Sequence, residues 1–259
     1  MLAVIGVAAP ALTSQPLVPG ASLPHATWRE VFKDDAILVV NKGAGLLTAP
    51  GIGPEKADCL LSRVQASGFP EISHAPHRLD RDTSGLIVLG RTPRAHKTLA
   101  TAFQERRVTK RYSALCLHWP EEDAGSVDVA IGKKRNPSGG GHTMTVAGPG
   151  VEAARHSCTR WQVLERLSGN DGIQYARLAL WPVTGRAHQL RVHMAHLGLP
   201  LLGDELHGGS TMARMAAERL CLHAAALRMA HPISGKMMEL ESEVDLTRFL
   251  VASDSEDSG

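Results

Sequence analysis

The segment His77-Arg78-Leu79-Asp80-Arg81-Asp82-Thr83-Ser84-Gly85 sets two guanidiniums and two carboxylates within five residues, then runs through small turn-formers into Leu86-Ile87-Val88-Leu89. In extended chain, neighbours point to opposite sides, so Arg78, Asp80 and Asp82 would share one side and Leu79 and Arg81 the other. A carboxylate fixed beside cations, on a loop that enters a strand, is a typical place for chemistry. The rival reading is a solvated charged turn. What separates the two lies elsewhere in the chain.

The elements that would carry this segment are legible in order. Ala36–Val40 is a short β-branched apolar run and reads as a buried strand after the turn at Asp34-Asp35. Between Lys56 and Ser67, the spacing of Leu60, Leu61 and Val64 predicts a short amphipathic helix. Gly85 to Gly90 is the strand that follows the charged motif. Thr92-Pro93 reads as the cap and first residue of a helix running to about Arg106, with Ala95, Leu99, Ala102 and Phe103 as its apolar stripe. Val108 to Trp119 reads as a long strand, with Tyr112 on the same side as Lys110 and Ala114.

Pro120 to Gly150, rich in turn residues, reads as a hairpin plus mobile loops. Ser157–Leu167 and Ile173–Val183 form a hairpin across Ser168-Gly169-Asn170-Asp171-Gly172. A helix is expected from about His188 to Leu197, with Leu190, Met194 and Leu197 inward and Gly198 closing it. A short helix near Thr211–Glu218, strands at Leu220–Met229 and Lys236–Ser242, and a last turn at Leu246–Leu250 complete the chain. Strands outnumber helices and most are hairpin-linked. That pattern is α+β with a mixed, mainly antiparallel sheet. No glycine-rich dinucleotide or phosphate loop supports a doubly wound fold.

Composition narrows the function classes. The net charge of +2 hides an uneven distribution. From His77 to Arg111 nine Lys or Arg oppose three acids; from Glu239 to Gly259 seven acids oppose Arg248 alone. A basic segment around a candidate site suits a polyanionic substrate. Aromatics at 4% argue against RNA binding built on many stacked rings. Four scattered cysteines, none in a Cys-x-x-Cys pair, suit a reducing compartment rather than a zinc ribbon or disulfide framework. No apolar run reaches membrane-spanning length. Residues 1–27 read as an unstructured extension or, failing that, an organelle leader, and 251–259 as an acidic disordered tail. The expected compartment is the cytoplasm, with an organelle as the alternative.

Four stretches, in order, carry a family resemblance: Asp35–Lys42 with Gly45-Leu46; His77-Arg78-Leu79-Asp80 through Thr83-Ser84-Gly85-Leu86; Thr184-Gly185-Arg186-Ala187-His188-Gln189-Leu190-Arg191-Val192-His193 with Gly203-Asp204; and Leu220–Ala224 with His231-Pro232. Together they resemble the RluA-type RNA pseudouridine synthases, in the shorter form without an S4 domain. The resemblance spans about Trp28 to Leu250. It implies an α+β catalytic domain over 28–250, a long bent sheet, a cleft between two subdomains, no metal and no organic cofactor. It also implies a structured RNA substrate, ribosomal or transfer. A monomer is the default expectation. Gly43 departs from the family's usual proline, and His207 from its common tyrosine.

By that resemblance Asp80 is the essential aspartate, acting on the ribose of a flipped uridine. Arg191 is the arginine paired with it, and Tyr112 the ring that stacks on the target base, with a hydroxyl available for C5 deprotonation. Arg78 either fills the gap left by the flipped nucleotide or contacts a phosphate. Leu222 is either an apolar wall beneath the base or plain core. Arg81, Lys110, Arg186 and His188 are expected to contact RNA; Asp82 is expected to be structural. His188, His193, His196, His207 and His223 suggest a metal site, yet His188 and His193 are five apart, and no Glu lies between them as in zinc hydrolases. Two further classes compete: a non-catalytic RNA-binding factor, and a metal-dependent hydrolase.

Overall fold

A computed structural model of the protein describes residues 27–136, 139, 141–169 and 172–251. The expected leader and the acidic tail thus lie outside the described residues, apart from Thr27 and Val251. Two central strands, β2 (Ile37–Lys42) and β3 (Ser84–Gly90), are buried on both faces. Leu38, Val40, Ile87 and Leu89 pack with the helix α1 (Leu60–Ala66), while Ile37, Val39, Leu86 and Val88 pack with α2 (Pro93–Gln104). Double burial is why these runs are continuously apolar. The cap predicted for α2 is present: Thr92 Oγ1 accepts a hydrogen bond from Ala95 N at 3.1 Å, with Pro93 at the first helical position.

The remaining elements are β1 (Trp28–Lys33), β4 (Thr109–Leu117), β5 (Ala124–Asp128), β6 (Ile131–Arg135), β7 (His142–Val146), β8 (Val151–Arg155), β9 (Cys158–Ser168), β10 (Gln174–Pro182), α3 (Gln189–His196), α4 (Thr211–Met215), β11 (Leu222–Ala230) and β12 (Met237–Glu241). The main sheet runs β1-β2-β3-β11-β4-β10-β9-β5, with β12 added on β11. Among the described pairings between strands only β3 with β11 is parallel, apart from an isolated bridge between Leu47 and Cys59. The α+β class with a mixed, mainly antiparallel sheet is therefore what the chain forms.

Two expectations are corrected. Pro120–Gly150 holds the expected hairpin, β6 with β7, but not loops alone beside it: β5 extends the main sheet, and β8, just beyond, adds a third strand to the hairpin. Most residues on β5 and β8 are solvated, so the two-residue alternation that betrays a half-buried strand is missing. Leu197 is also not inward. It is 40% exposed, because α3 ends at His196 and the chain turns out at Gly198.

Two apolar clusters meet at one residue. The first gathers α1, β2 and Leu79; the second gathers β10, α3 and Leu222; Tyr112 on β4 packs against both. The cleft opens along that seam.

Candidate active site

The loop that carries Asp80 is pinned on either side of it. Leu79 is buried, and its backbone N–H and C=O both bond Thr48 Oγ1, at 3.2 and 2.8 Å. The Asp80 carbonyl accepts from Thr83 N at 3.2 Å, so the chain turns there. This turn ends the alternation expected from the sequence. Leu79 faces in, but Arg81 does not follow it: its exposed side chain donates to Asp82 Oδ1 at 3.0 Å.

Lys42 holds the turn from beneath. Its buried ammonium donates to the carbonyls of Gly43, Leu46 and Arg81 at 2.8, 2.8 and 3.0 Å. Burial lowers its pKa to about 7, although Asp82 and Asp80 pull the other way. Next in the chain, Ser84 Oγ bonds His223 Nδ1 at 2.8 Å and accepts from Arg219 Nη1 at 3.0 Å. Gly85, at φ 119°, runs so close to β11 that a Cβ would strike Ala224 N and O. Only glycine supplies both that backbone conformation and that approach.

The cavity above this loop has a volume of about 450 Å³. Asp80 is the one carboxylate in its described lining, which also holds Arg78, Lys110, Arg186 and Arg191. Among the described residues the Asp80 carboxylate has neither an ion pair nor a hydrogen bond. Tyr112 and Leu222 line the same cavity from adjacent strands, β4 and β11. Burial, and after it the negative charge of Asp80, push the Tyr112 hydroxyl up, so it is a neutral phenol. His77 accepts from Val88 N at 3.0 Å and stacks on Phe103 at 4.1 Å; burial and Lys110 push it down to about 3, leaving it neutral.

Arg191 is brought to the cleft, but its fork is taken. Nε and Nη2 donate to Asp204 Oδ2 and Oδ1 at 2.8 and 2.5 Å, with both side chains buried. The expected direct pairing of Arg191 with Asp80 is therefore not what this structure holds. Asp204 also accepts from the backbone N–H groups of Leu206 and His207 at 3.0 and 2.9 Å. Burial works to raise its pKa, and the Arg191 fork with these donors outweighs it, holding the carboxyl below its usual value.

The Thr184–Arg186 turn is built around Gln189. This buried side chain accepts from Thr184 Oγ1 at 2.6 Å and Arg186 N at 3.0 Å, and donates to Cys158 O and Thr159 Oγ1 on β9. His188 enters α3 with φ 54°, and its Nδ1 lies 2.9 Å from His207 Nε2. Burial lowers both rings, His207 to about 4. The other histidines are elsewhere. His193 bonds Thr159 and Val129 O, His223 bonds Ser84 and Ser242 O, and His196 is exposed. Among the described residues no three His, Cys, Asp or Glu are grouped to hold a metal ion.

Of the residues expected from sequence, Asp80, Tyr112, Arg191, Arg78, Lys110, Arg186, His188 and Leu222 all line the one cavity. Arg81 lies outside its lining. The roles of Lys42, Thr48, Gln189 and Asp204 were missed. Lys42, Gln189 and Asp204 belong to stretches quoted for the resemblance, but only their three-dimensional partners show what they do. An Asn-Lys after a buried strand was the available signal for Lys42.

Comparison with known proteins shows the family. Residues 36–196 match the family model described as RNA pseudouridylate synthase. The chain belongs to that family. The synthase is 37% identical over 225 residues to the dual-specificity RNA pseudouridine synthase RluA of Escherichia coli strain K12, covering 86% of this chain and 96% of the relative. It is 41% identical over 215 residues to the protein of the same name from Vibrio vulnificus, covering 82% and 81%. Among solved structures it is similar to human RNA pseudouridylate synthase domain containing 1, with a TM-score of 0.70, 31% identity and 84% of each chain covered. The synthase is thus an RNA isomerase that converts uridine to pseudouridine. No helix among its described residues is long and apolar enough to cross a membrane, which says nothing of strands.

Proposed function

We propose that this synthase isomerises chosen uridines in structured ribosomal or transfer RNA, with Asp80 acting on the ribose of a flipped nucleotide. The observation that carries the reading is the charge arrangement of the cleft: one carboxylate, Asp80, without a partner among the described residues, in a lining that also holds four cations. An unpaired carboxylate is free to attack C1′ as a nucleophile, or to take a ribose proton on a route through a glycal. In either route the N1–C1′ bond breaks, the uracil turns, C5 bonds C1′, and the C5 proton is lost. Substrate and product are isomers, so atoms balance without a co-reactant.

Tyr112 lies where its ring stacks on the base. Because its hydroxyl is neutral, it serves the C5 step as a hydrogen-bonding phenol rather than as a standing phenolate. Arg78, exposed at the mouth, either takes the place of the extruded nucleotide or holds a phosphate, and Lys110, Arg186 and His188 contact the backbone. Leu222 gives the base an apolar wall. Arg191, with its fork committed to Asp204, positions rather than pairs: it sets a fixed positive charge at the cleft beside Asp80. The name of the relatives, dual-specificity, supports more than one RNA target. Residues 28–250 are read as one catalytic domain, acting as a monomer in the cytoplasm; light scattering and fractionation of the tagged chain test both.

Incubation with ribosomal and transfer RNA, followed by chemical mapping of pseudouridine, tests the reading. New modified sites that vanish with Asp80→Asn are expected. Undiminished activity in Asp80→Asn would sink it.

A further inference from the structure

Beside the catalytic cleft lies a second and larger groove of about 820 Å³. The two share Phe103, Lys110, Pro182, Thr184, Gly185 and Arg186, so one runs into the other. Its charged lining consists of Arg106, Lys110, Arg160 and Arg186, with no Asp or Glu. Among the described residues none of these four forms an ion pair, and Arg186 has only the His156 carbonyl, at 3.3 Å. Elsewhere this surface pairs several of its arginines: Arg63 with Asp58, Arg91 with Glu71, Arg166 with Asp123, Arg177 with Glu165. Single exposed arginines such as Arg29, Arg94 and Arg228 also lack an ion pair among the described residues; what marks the groove is that four cations share one lining with no acid in it.

Its aromatic content is as uneven. Two of the four tryptophans of the chain, Trp161 and Trp181, line it. Trp181 is half-buried and lies directly across the β9–β10 ladder from exposed Arg160, so the two share a face of the sheet. Trp161 is buried beside Gly125, and its indole N–H has no partner among the described residues. Cations without counter-charges beside an aromatic ring are the recognition chemistry of single-stranded nucleic acid: phosphates for the charges, a base for the ring. An acidic peptide would use the charges and leave the indole idle.

We propose that this groove is a second subsite for the RNA, taking a nucleotide of the strand that flanks the target uridine. Its phosphates lie against Arg106, Lys110, Arg160 and Arg186, and its base lies on Trp181. The assignment rests on the function proposed above, because continuity with the cleft is what makes the occupant part of the substrate. It adds Arg106, Arg160 and Trp181 to the residues that choose among RNAs.

The test compares the full-length protein with Trp181→Leu and with the double variant Arg106→Gln/Arg160→Gln. The probes are an oligouridylate of about twelve nucleotides, uridine 5′-monophosphate, and polyglutamate as a competitor. Thermal melts check that each variant is folded, and the double variant, on exposed side chains, stands if Trp181→Leu does not fold. Expected is a roughly five- to hundredfold loss of oligouridylate affinity in Trp181→Leu, with a smaller effect on the mononucleotide. In the double variant, the slope of log affinity against log salt should fall by about 1.4 for two lost phosphates. With mixed ribosomal and transfer RNA as substrate, the loss should appear in KM more than in kcat. Oligouridylate affinity and salt slope equal to wild type in both variants, or equal competition by polyglutamate, would overturn the subsite. A wild-type protein that forms no pseudouridine in any RNA overturns instead the function on which it rests, whatever the groove binds.

Discussion

Arg191 and Asp204 form a buried two-point ion pair, 2.8 and 2.5 Å long, at the edge of the cavity in which Asp80 is the one lining carboxylate. The arginine thus answers to a carboxylate thirteen residues away on the turn after α3, and not to the one expected from sequence. The consequence is a division of labour. Asp204 orders the guanidinium, and Asp80 is left without a partner among the described residues.

Replacing one member of a buried pair strands the other. Asp204→Ala should destabilise the fold by about 3–5 kcal/mol, because Arg191 keeps its charge with no counter-ion. Arg191→Lys should also lose stability, since one ammonium cannot span both oxygens. Chemical denaturation of the two single variants and the double variant measures the coupling; additive effects would show that the pair does not act as a unit.

The same pair sets an acid limit. The folded Asp204 carboxyl titrates below its usual value of 3.8, so the stabilisation it gives is complete above that value and drains away as pH falls through the folded one. Asp204→Asn should flatten this acid limb. Denaturation midpoints from pH 5 downward would show it, and an unchanged limb would assign the acid sensitivity elsewhere.

Lys42 makes the opposite prediction at the alkaline side. Its folded pKa is near 7 against 10.5 unfolded, chiefly through burial, so between those values the unfolded chain binds the extra proton. The contribution of Lys42 to stability should therefore rise with pH over that window. The stability gap between the wild type and Lys42→Met, measured at pH 6.5 and at pH 9, should widen at the higher value. Activity in Lys42→Met should fall as well, because the Arg81 carbonyl and the Asp80 turn lose their anchor.

Asp80→Asn should cost on the order of 10⁴ in turnover while leaving RNA binding in place. Because the carboxylate has no described partner, stability should change by no more than about 0.5 kcal/mol. Tyr112→Phe keeps the ring and removes the hydroxyl, so it should bind RNA but turn over about 10²-fold more slowly. Tyr112→Leu should lose binding too. Single-turnover kinetics separate the two steps.

Local chemistry made much of the protein legible before its fold was known. The runs Ile37–Val40 and Leu86–Leu89 are apolar throughout because helices cover both faces of the strands, and Thr92-Pro93 caps α2 through atoms within three residues of each other. The motif His77–Gly85 and the stretch Thr184–His193 stood out through the family resemblance, and both segments line the same cavity. What the sequence could not determine was pairing at a distance. β5 and β8 stayed hidden because their residues are mostly solvated and carry no apolar rhythm.

The choice of Asp204 over Asp80 as the partner of Arg191 follows from where a turn delivers a carboxylate in space, which spacing along the chain does not encode. The same holds for Lys42 beneath the Arg81 carbonyl and for Arg160 across from Trp181. Residue types determined the chemistry on offer. Tertiary packing decided which charges are cancelled and which stay without a partner among the described residues, Asp80 being the one carboxylate in the described lining of the cavity.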